Sequence, residues 1–202
     1  MEPCPLPPFY HVLEGKSQGV AIALVSGAGT YENKGYAEMK GASIGGLASI
    51  ISGDFKGFQF GTFDAQAENS DGVNISGVAA VVERELKGLS IGGVASYVGS
   101  NCHGVSIGGL SSYVKSELTG ASISPGVNMA NSNGKFAFQM GLVNSIREYN
   151  NGLVIQIGLY NRAGNRTIPL INIRGLRNLF KRKPKPKDVL IANLDSTKRK
   201  RI

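Results

Sequence analysis

Residues 88–119 read Gly-Leu-Ser-Ile-Gly-Gly-Val-Ala-Ser-Tyr-Val-Gly-Ser-Asn-Cys-His, then Gly-Val-Ser-Ile-Gly-Gly-Leu-Ser-Ser-Tyr-Val-Lys-Ser-Glu-Leu-Thr, one sixteen-residue unit written twice. The unit extends in both directions. Gly41, Gly57, Gly72, Gly88, Gly104 and Gly120 each open a similar stretch, at intervals of 16, 15, 16, 16 and 16 residues. Two looser copies, Phe-Gln-Met-Gly-Leu-Val-Asn and Ile-Gln-Ile-Gly-Leu-Tyr-Asn, end at Asn144 and Asn161, and Gly19 opens a degenerate first copy, Gly-Val-Ala-Ile-Ala-Leu-Val. A fixed period of this kind marks a stack of units, since a single unit cannot bury its own apolar face.

Within each unit, Ile44, Phe60, Ile75, Ile91, Ile107 and Ile123 stand three places after the opening glycine, and Ala42, Phe58, Val73, Leu89, Val105 and Ala121 stand one place after it. Between them fall Ser43, Gln59, Asn74, Ser90, Ser106 and Ser122. Such alternation predicts a strand with one buried face, and hydrophobicity assigns the isoleucine column to the inside. A second apolar group, as in Val94, Tyr97 and Val98, follows a change of parity across Gly92 and Gly93, where paired glycines permit a bend.

Sixteen residues at about 3.3 Å each make a circuit of roughly 50 Å, enough for two short strands and two turns. The predicted fold is therefore all-β, a β-solenoid of seven or eight short coils with like residues stacked about 4.8 Å apart. An antiparallel β-hairpin meander, one hairpin per unit, has the same periodicity. The chain divides into an N-terminal cap at 1–40, a β-repeat domain at 41–164, a C-terminal cap at 165–180 and a basic tail at 181–202. In the C-terminal cap, Ile168, Leu170, Ile171, Ile173, Leu176, Leu179 and Phe180 are expected to cover the final coil, whose strand edge would otherwise stay open.

Charge is unevenly placed. Residues 174–202 hold eleven Lys/Arg and two Asp, a net of +9, whereas residues 1–173 hold eleven Lys/Arg and twelve Asp/Glu, a net of −1. The basic character thus belongs to the tail, which argues against nucleic-acid binding spread over the repeats. Neither a secretory signal pattern nor eighteen consecutive apolar residues is seen, so the expected location is the cytoplasm, or secretion by a signal-peptide-independent route. Cys4 and Cys102 are too few for a disulfide framework or a four-cysteine zinc site.

At residues 155–173, Ile-Gln-Ile-Gly-Leu-Tyr-Asn-Arg-Ala-Gly-Asn-Arg-Thr-Ile-Pro-Leu-Ile-Asn-Ile, the chain resembles the bacterial surface-repeat proteins first described from leptospires. Members carry Gly-Val-Gln-Ile-Gly-Leu-Val-Asn units and often close on a Pro-Leu/Phe-Ile-Asn segment. The resemblance extends over residues 40–173. It implies a bacterial origin and a β-rich repeat, and brings no catalytic residue with it. Many members look exported, whereas this chain lacks a visible signal and ends in an unusual basic run.

The chemistry-bearing motifs read as structure. Cys102 and His103 adjoin just before Gly104, and the remaining candidates for a thiol–imidazole or metal site are Cys4 and His11, fewer groups than either chemistry needs. Ser26-Gly27-Ala28-Gly29-Thr30 lacks the Gly-Lys-Ser/Thr of a phosphate loop and is expected to form a turn. Asp54, Asp64 and Asp71 lack the spacing of a calcium loop, and Glu83, Arg84 and Glu85 fall where one coil passes into the next. No catalytic residue, cofactor or metal is therefore expected. An enzyme would place its site in residues 1–40, around His11, Tyr31, Tyr36 and Glu38.

Two features point to binding. Lys181, Arg182, Lys183, Lys185 and Lys187, followed ten residues on by Lys198, Arg199, Lys200 and Arg201, resemble a two-part nuclear localisation signal, readable by an acidic receptor groove, nucleic acid or an anionic membrane. The strip formed by Ser90, Gly92, Ser106 and Gly108 is expected to face outward, smooth enough for a second copy or a protein partner to approach closely. Glycine required by backbone bends, with serine merely tolerated, would produce the same strip. The resulting expectation is a non-enzymatic binding scaffold, a translocated bacterial effector whose tail directs it to a host nucleus. A structural surface protein is the rival expectation.

Overall fold

The computed structural model describes residues 10–13, 16–28 and 37–176, and its strands join one continuous sheet that winds into a β-solenoid of about seven turns. In chain order the strands are β1 (Tyr10–Leu13), β2 (Lys16–Ala28), β3 (Ala37–Gly61), β4 (Asp64–Ser76), β5 (Ala79–Val82), β6 (Leu86–Gly92), β7 (Ala95–Val98), β8 (Cys102–Gly108), β9 (Ser111–Ile123), β10 (Val127–Met140), β11 (Val143–Glu148), β12 (Leu153–Ala163) and β13 (Arg166–Arg174). One coil consists of a long arm such as β6 and a short arm such as β7, joined by bends at 93–94 and 99–100. The paired glycines thus do make the first bend.

Neighbouring coils pair in parallel at equivalent positions. Leu86 lies against Cys102, Gly88 against Gly104, Ser90 against Ser106 and Ile91 against Ile107, while on the short arm Tyr97 lies against Tyr113. Parallel register one repeat apart rules out the hairpin meander, whose successive strands would run antiparallel. Among the described strands, antiparallel pairing is confined to β12 and β13, where the chain turns back across the last coil.

The opening glycine carries the stack. Gly88 has φ +123°, and a Cβ there would lie 2.2 Å from the carbonyl oxygen of Gly72 in the preceding coil. Both the backbone angle and the approach exclude a side chain. This residue also breaks the alternation of the long arm: Leu86 points in and Lys87 out, then Leu89 points out, Ser90 in and Ile91 out.

The phase is opposite to the one hydrophobicity assigns. Ser43, Gln59, Asn74, Ser90, Ser106 and Ser122 are wholly buried, and the isoleucine column lies half-buried on the outside of the coil. Room and hydrogen bonding decide it together. A Cβ on Gly92 would sit 1.7 Å from the carbonyl oxygen of Ala95, so the two arms nearly touch beside this column, and its larger members, Gln59, Asn74 and Gln156, are polar chains whose amides donate to main-chain carbonyls. Serine fits, and its hydroxyl finds partners: Ser90 Oγ lies 3.0 Å from Ser96 Oγ, and Ser106 Oγ donates to Ser96 Oγ at 2.9 Å. The chain continues from Ser122 Oγ to Asn128 Oδ1 at 3.0 Å and from Asn128 Nδ2 to Asn144 Oδ1 at 2.9 Å. From there Asn144 Nδ2 donates to Asn161 Oδ1 at 2.8 Å.

This ladder is interrupted where Ala65 and Ala80 replace serine on the short arm. At that point Gln59 and Asn74 donate to main-chain carbonyls instead, Gln59 to Ser49 at 2.8 Å and Asn74 to Ala65 at 3.4 Å. At the other end of the cross-section the arms diverge, and the space fills with Val82, Leu86, Val98, Cys102, Val114 and Leu118, all wholly buried. In the first coils Met39, Ile51 and Phe55 take that place. Each such side chain contributes about 1.5–3 kcal/mol by leaving water. Every coil is therefore a wedge, apolar where it is wide and hydrogen-bonded where it is narrow.

Candidate functional surface

The Ser90, Gly92, Ser106 and Gly108 strip cannot be a contact face, because all four residues lie inside the coil. Nor does the isoleucine column form the core. Ile91 and Ile107 are adjacent as expected, but they stack on the outer surface of the long arm. What the structure presents instead is an apolar outer face.

Its first column runs Val20, Ala42, Phe58, Val73, Leu89, Val105, Ala121, Phe138 and Ile155, each stacked on the next. The second, two residues further along each strand, runs Ile22, Ile44, Phe60, Ile75, Ile91, Ile107, Ile123, Met140 and Ile157, and antiparallel β13 extends both columns with Ile173 beside Ile155 and Ile171 beside Ile157. At the bend after the long arm, Leu47, Phe63, Val78, Val94, Leu110, Leu142 and Leu159 are all exposed, Leu110 and Leu159 at 64 %. No charged side chain interrupts these columns among the described residues. Monomeric soluble proteins seldom expose so long a continuous apolar surface. Main-chain hydrogen bonds run up and down the stack, so covering this face desolvates side chains without stranding backbone polar groups.

Charge gathers beside this face and at the opposite bend. Lys87 pairs with Glu85 at 3.3 Å, His103 Nε2 lies 3.6 Å from the same carboxylate, and Arg84 pairs with Glu68 at 3.0 Å. Nearer the N-terminus Glu38 holds Lys40 at 2.9 Å and Lys16 at 3.5 Å, and the bonded Lys40 ammonium keeps its carboxyl below the usual range. These exposed pairs are worth little individually. The short arm is mixed: Tyr97 and Tyr113 stack with centroids 5.7 Å apart, next to Lys115.

Cys102 and His103 are adjacent in sequence and opposite in space. The Cys102 side chain enters the apolar core, where burial pushes its thiol up to about 12, whereas His103 points outward towards Glu85. Strand parity therefore denies this pair the contact that an activated thiol needs. Among the described residues, no group of three or more His, Cys, Asp or Glu side chains could hold a metal ion. Asp54 accepts from Asn69 Nδ2 at 2.7 Å, and Asp64 accepts from Gln66.

Ser26 to Ala28 do not form a turn but continue β2, with Ser26 buried and its Oγ 2.9 Å from Ser43 Oγ. Gly29, Thr30, Tyr31, Tyr36, Cys4, Leu179, Phe180 and the tail residues Lys181 to Lys187 and Lys198 to Arg201 lie outside the described residues, and so does the side chain of His11. Comparison of the chain with protein-family models, curated proteins and solved structures found no match.

Proposed function

We propose that the protein is a non-enzymatic binding scaffold whose working surface is the apolar face of the long arms. The observation that carries this reading is the uninterrupted run of outward Val, Leu, Ile, Phe and Met side chains along the rod, with charge kept to its sides. A fold stabilised from within by a serine and asparagine ladder has no structural need to expose such a surface. Isoleucine and phenylalanine outside favour contact with another apolar body.

The tail supplies the address. Its nine clustered basic residues, Lys181 to Lys187 and Lys198 to Arg201, suit an acidic receptor groove, and the repeat resembles a bacterial family, which together support a translocated effector carried to a host nucleus. The same resemblance supports a surface-displayed structural protein as the second reading.

Proximity labelling in the relevant cell tests the scaffold. Ile22→Glu, Leu110→Glu and Leu159→Glu, introduced together at well-exposed positions, should remove most labelled neighbours, while exchanging the tail's basic residues for glutamine should change where labelling occurs. An unchanged set of neighbours in the triple-glutamate protein would overturn the proposal.

A further inference from the structure

On the reading of the long-arm face as the working surface, we infer that its partner is a second copy of this chain, docked face to face with the rods antiparallel about a two-fold axis passing through the Leu89 row. The relief of the face leads to this arrangement. Nine parallel rows carry the first column, with Leu89 the fifth, and antiparallel β13 adds Ile173 beside Ile155 as a tenth row that overhangs the docked rows.

A two-fold axis lying in the interface along the strand direction reverses the rod but keeps each column opposite itself. Row two then meets row eight and row three meets row seven. Ala42, the small residue near one end, falls opposite Phe138 of the other copy, and Phe58 falls opposite Ala121. Val73 meets Val105, and Leu89 meets its own counterpart. Large therefore stands over small at both off-centre positions where the column departs from medium-sized side chains. A shift of one row towards Val105 would bring Phe58 onto Phe138, and two parallel rods would set Phe58 on Phe58 and Ala42 on Ala42. Antiparallel docking at Leu89 is the register in which the first column is complementary to itself, and on the second column it sets Phe60 opposite Ile123 and Ile44 opposite Met140.

Size and chemistry agree. Nine rows about 4.8 Å apart make a strip roughly 40 Å long, and the distance from the Leu89 column to the Val94 bend is about 15 Å. Two such strips bury roughly 1,200 Å² together, at the lower end of what stable interfaces bury. Flat sheets pack in this way at about 10 Å, with strands nearly aligned and side chains interdigitating. The two columns carry no charge, and the outward column of Lys56, Asp71, Lys87 and His103 two residues outside them falls at the rim, where Lys87 keeps Glu85 as its partner and stays hydrated.

The test is an exchange of size across the interface. Full-length protein is examined by light scattering and sedimentation between roughly 0.1 and 100 µM, a span that covers moderate self-association. Wild type should form dimers. Ala121→Phe should weaken them at least about tenfold by setting phenylalanine against Phe58, and Phe58→Ala combined with Ala121→Phe should restore them to within about threefold. Melting temperature should stay close to wild type in each variant, since both side chains lie on the outside. In a Cys4→Ser background, Leu89→Cys should cross-link to its own counterpart with a short bis-maleimide, and Val20→Cys should not.

A wild-type protein that stays monomeric throughout the range would overturn the inference. So would a double variant no tighter than Ala121→Phe alone, or a monomer that instead floats with phosphatidylcholine–phosphatidylserine vesicles through this face. If self-association fails while labelling still depends on Ile22, Leu110 and Leu159, the scaffold reading stands and only the partner is wrong. Failure of both removes the scaffold reading as well.

Discussion

Ser90 and Ser106 stand one above the other in successive coils, wholly buried, and share Ser96 as a common hydrogen-bond partner at 3.0 and 2.9 Å. The narrow half of the solenoid is thus held by side-chain hydroxyls. Ser106→Ala should cost about 1–2 kcal/mol, because it leaves Ser96 and Ser112 each short of a partner. Ser106→Leu should cost more, about 3 kcal/mol or above, because the extra carbons have no room between the arms. Urea denaturation of both variants checks the order; a leucine tolerated better than alanine would show that this position faces water.

The wide half should behave as an ordinary apolar core. Leu86→Ala removes a wholly buried side chain from the cluster with Val98 and Cys102 and should cost about 2–5 kcal/mol. Ile91→Thr, five residues on but outside the coil, should cost about 1 kcal/mol or less, since threonine keeps the β-branched shape of a strand residue. Equal costs by chemical denaturation of the monomer would contradict this division between inside and outside.

Much of the architecture was legible before any coordinate. The sixteen-residue period, the stacking of Gly88 on Gly104 and of Ile91 on Ile107, and the bend at Gly92 and Gly93 all follow from which positions repeat. The phase was not legible from hydrophobicity, because two alternating columns are compatible with either assignment until the width of the coil is known. The signal for it lay in the column of Ser43, Gln59, Asn74, Ser90, Ser106 and Ser122, polar at each position and able to hydrogen-bond across a pinched interior, while Phe58 and Phe60 occupy positions where bulk has room. Since that phase decides which residues face outward, the expected contact strip fell on the wrong side of the same strand, and the proposed working surface lies on the other. The fate of Cys102 was easier to read, as it shares a column with Leu86 and Leu118.

Gly88 offers a test of the stack itself. With φ at +123° and the Gly72 carbonyl oxygen 2.2 Å from where a Cβ would lie, Gly88→Ala should destabilise by at least about 3 kcal/mol through backbone strain and displacement of the neighbouring coil. Thermal unfolding would register this as a large fall in melting temperature. Retention of wild-type stability would mean that the coils are not stacked glycine on glycine.

Cys102 gives the fold an alkaline limit. Its thiol ionises near its ordinary 9.0 when unfolded and only at about 12 when folded, so between these values the unfolded chain has lost a proton that the native chain keeps. Fewer protons on the unfolded state means that stability falls as pH rises, by up to about 1.4 kcal/mol per pH unit within that window. Cys102→Ala should therefore lose stability less steeply than wild type above pH 9, although it starts from a lower value. Parallel slopes in urea titrations at pH 8 to 10.5 would show that the thiol reaches water in the native state.

The inversion of the coil, serine inward and isoleucine outward, is tested most directly by thiol accessibility. In a Cys4→Ala background, Ser90→Cys and Ile91→Cys are treated with a charged, water-soluble maleimide, on protein diluted until light scattering shows a monomer, with native Cys102 as the buried reference. The structure predicts rapid labelling of Ile91→Cys and protection of Ser90→Cys to the level of Cys102 until the chain unfolds. Rapid labelling of Ser90→Cys with protection of Ile91→Cys would restore the isoleucine core and remove the apolar face on which the proposed function depends.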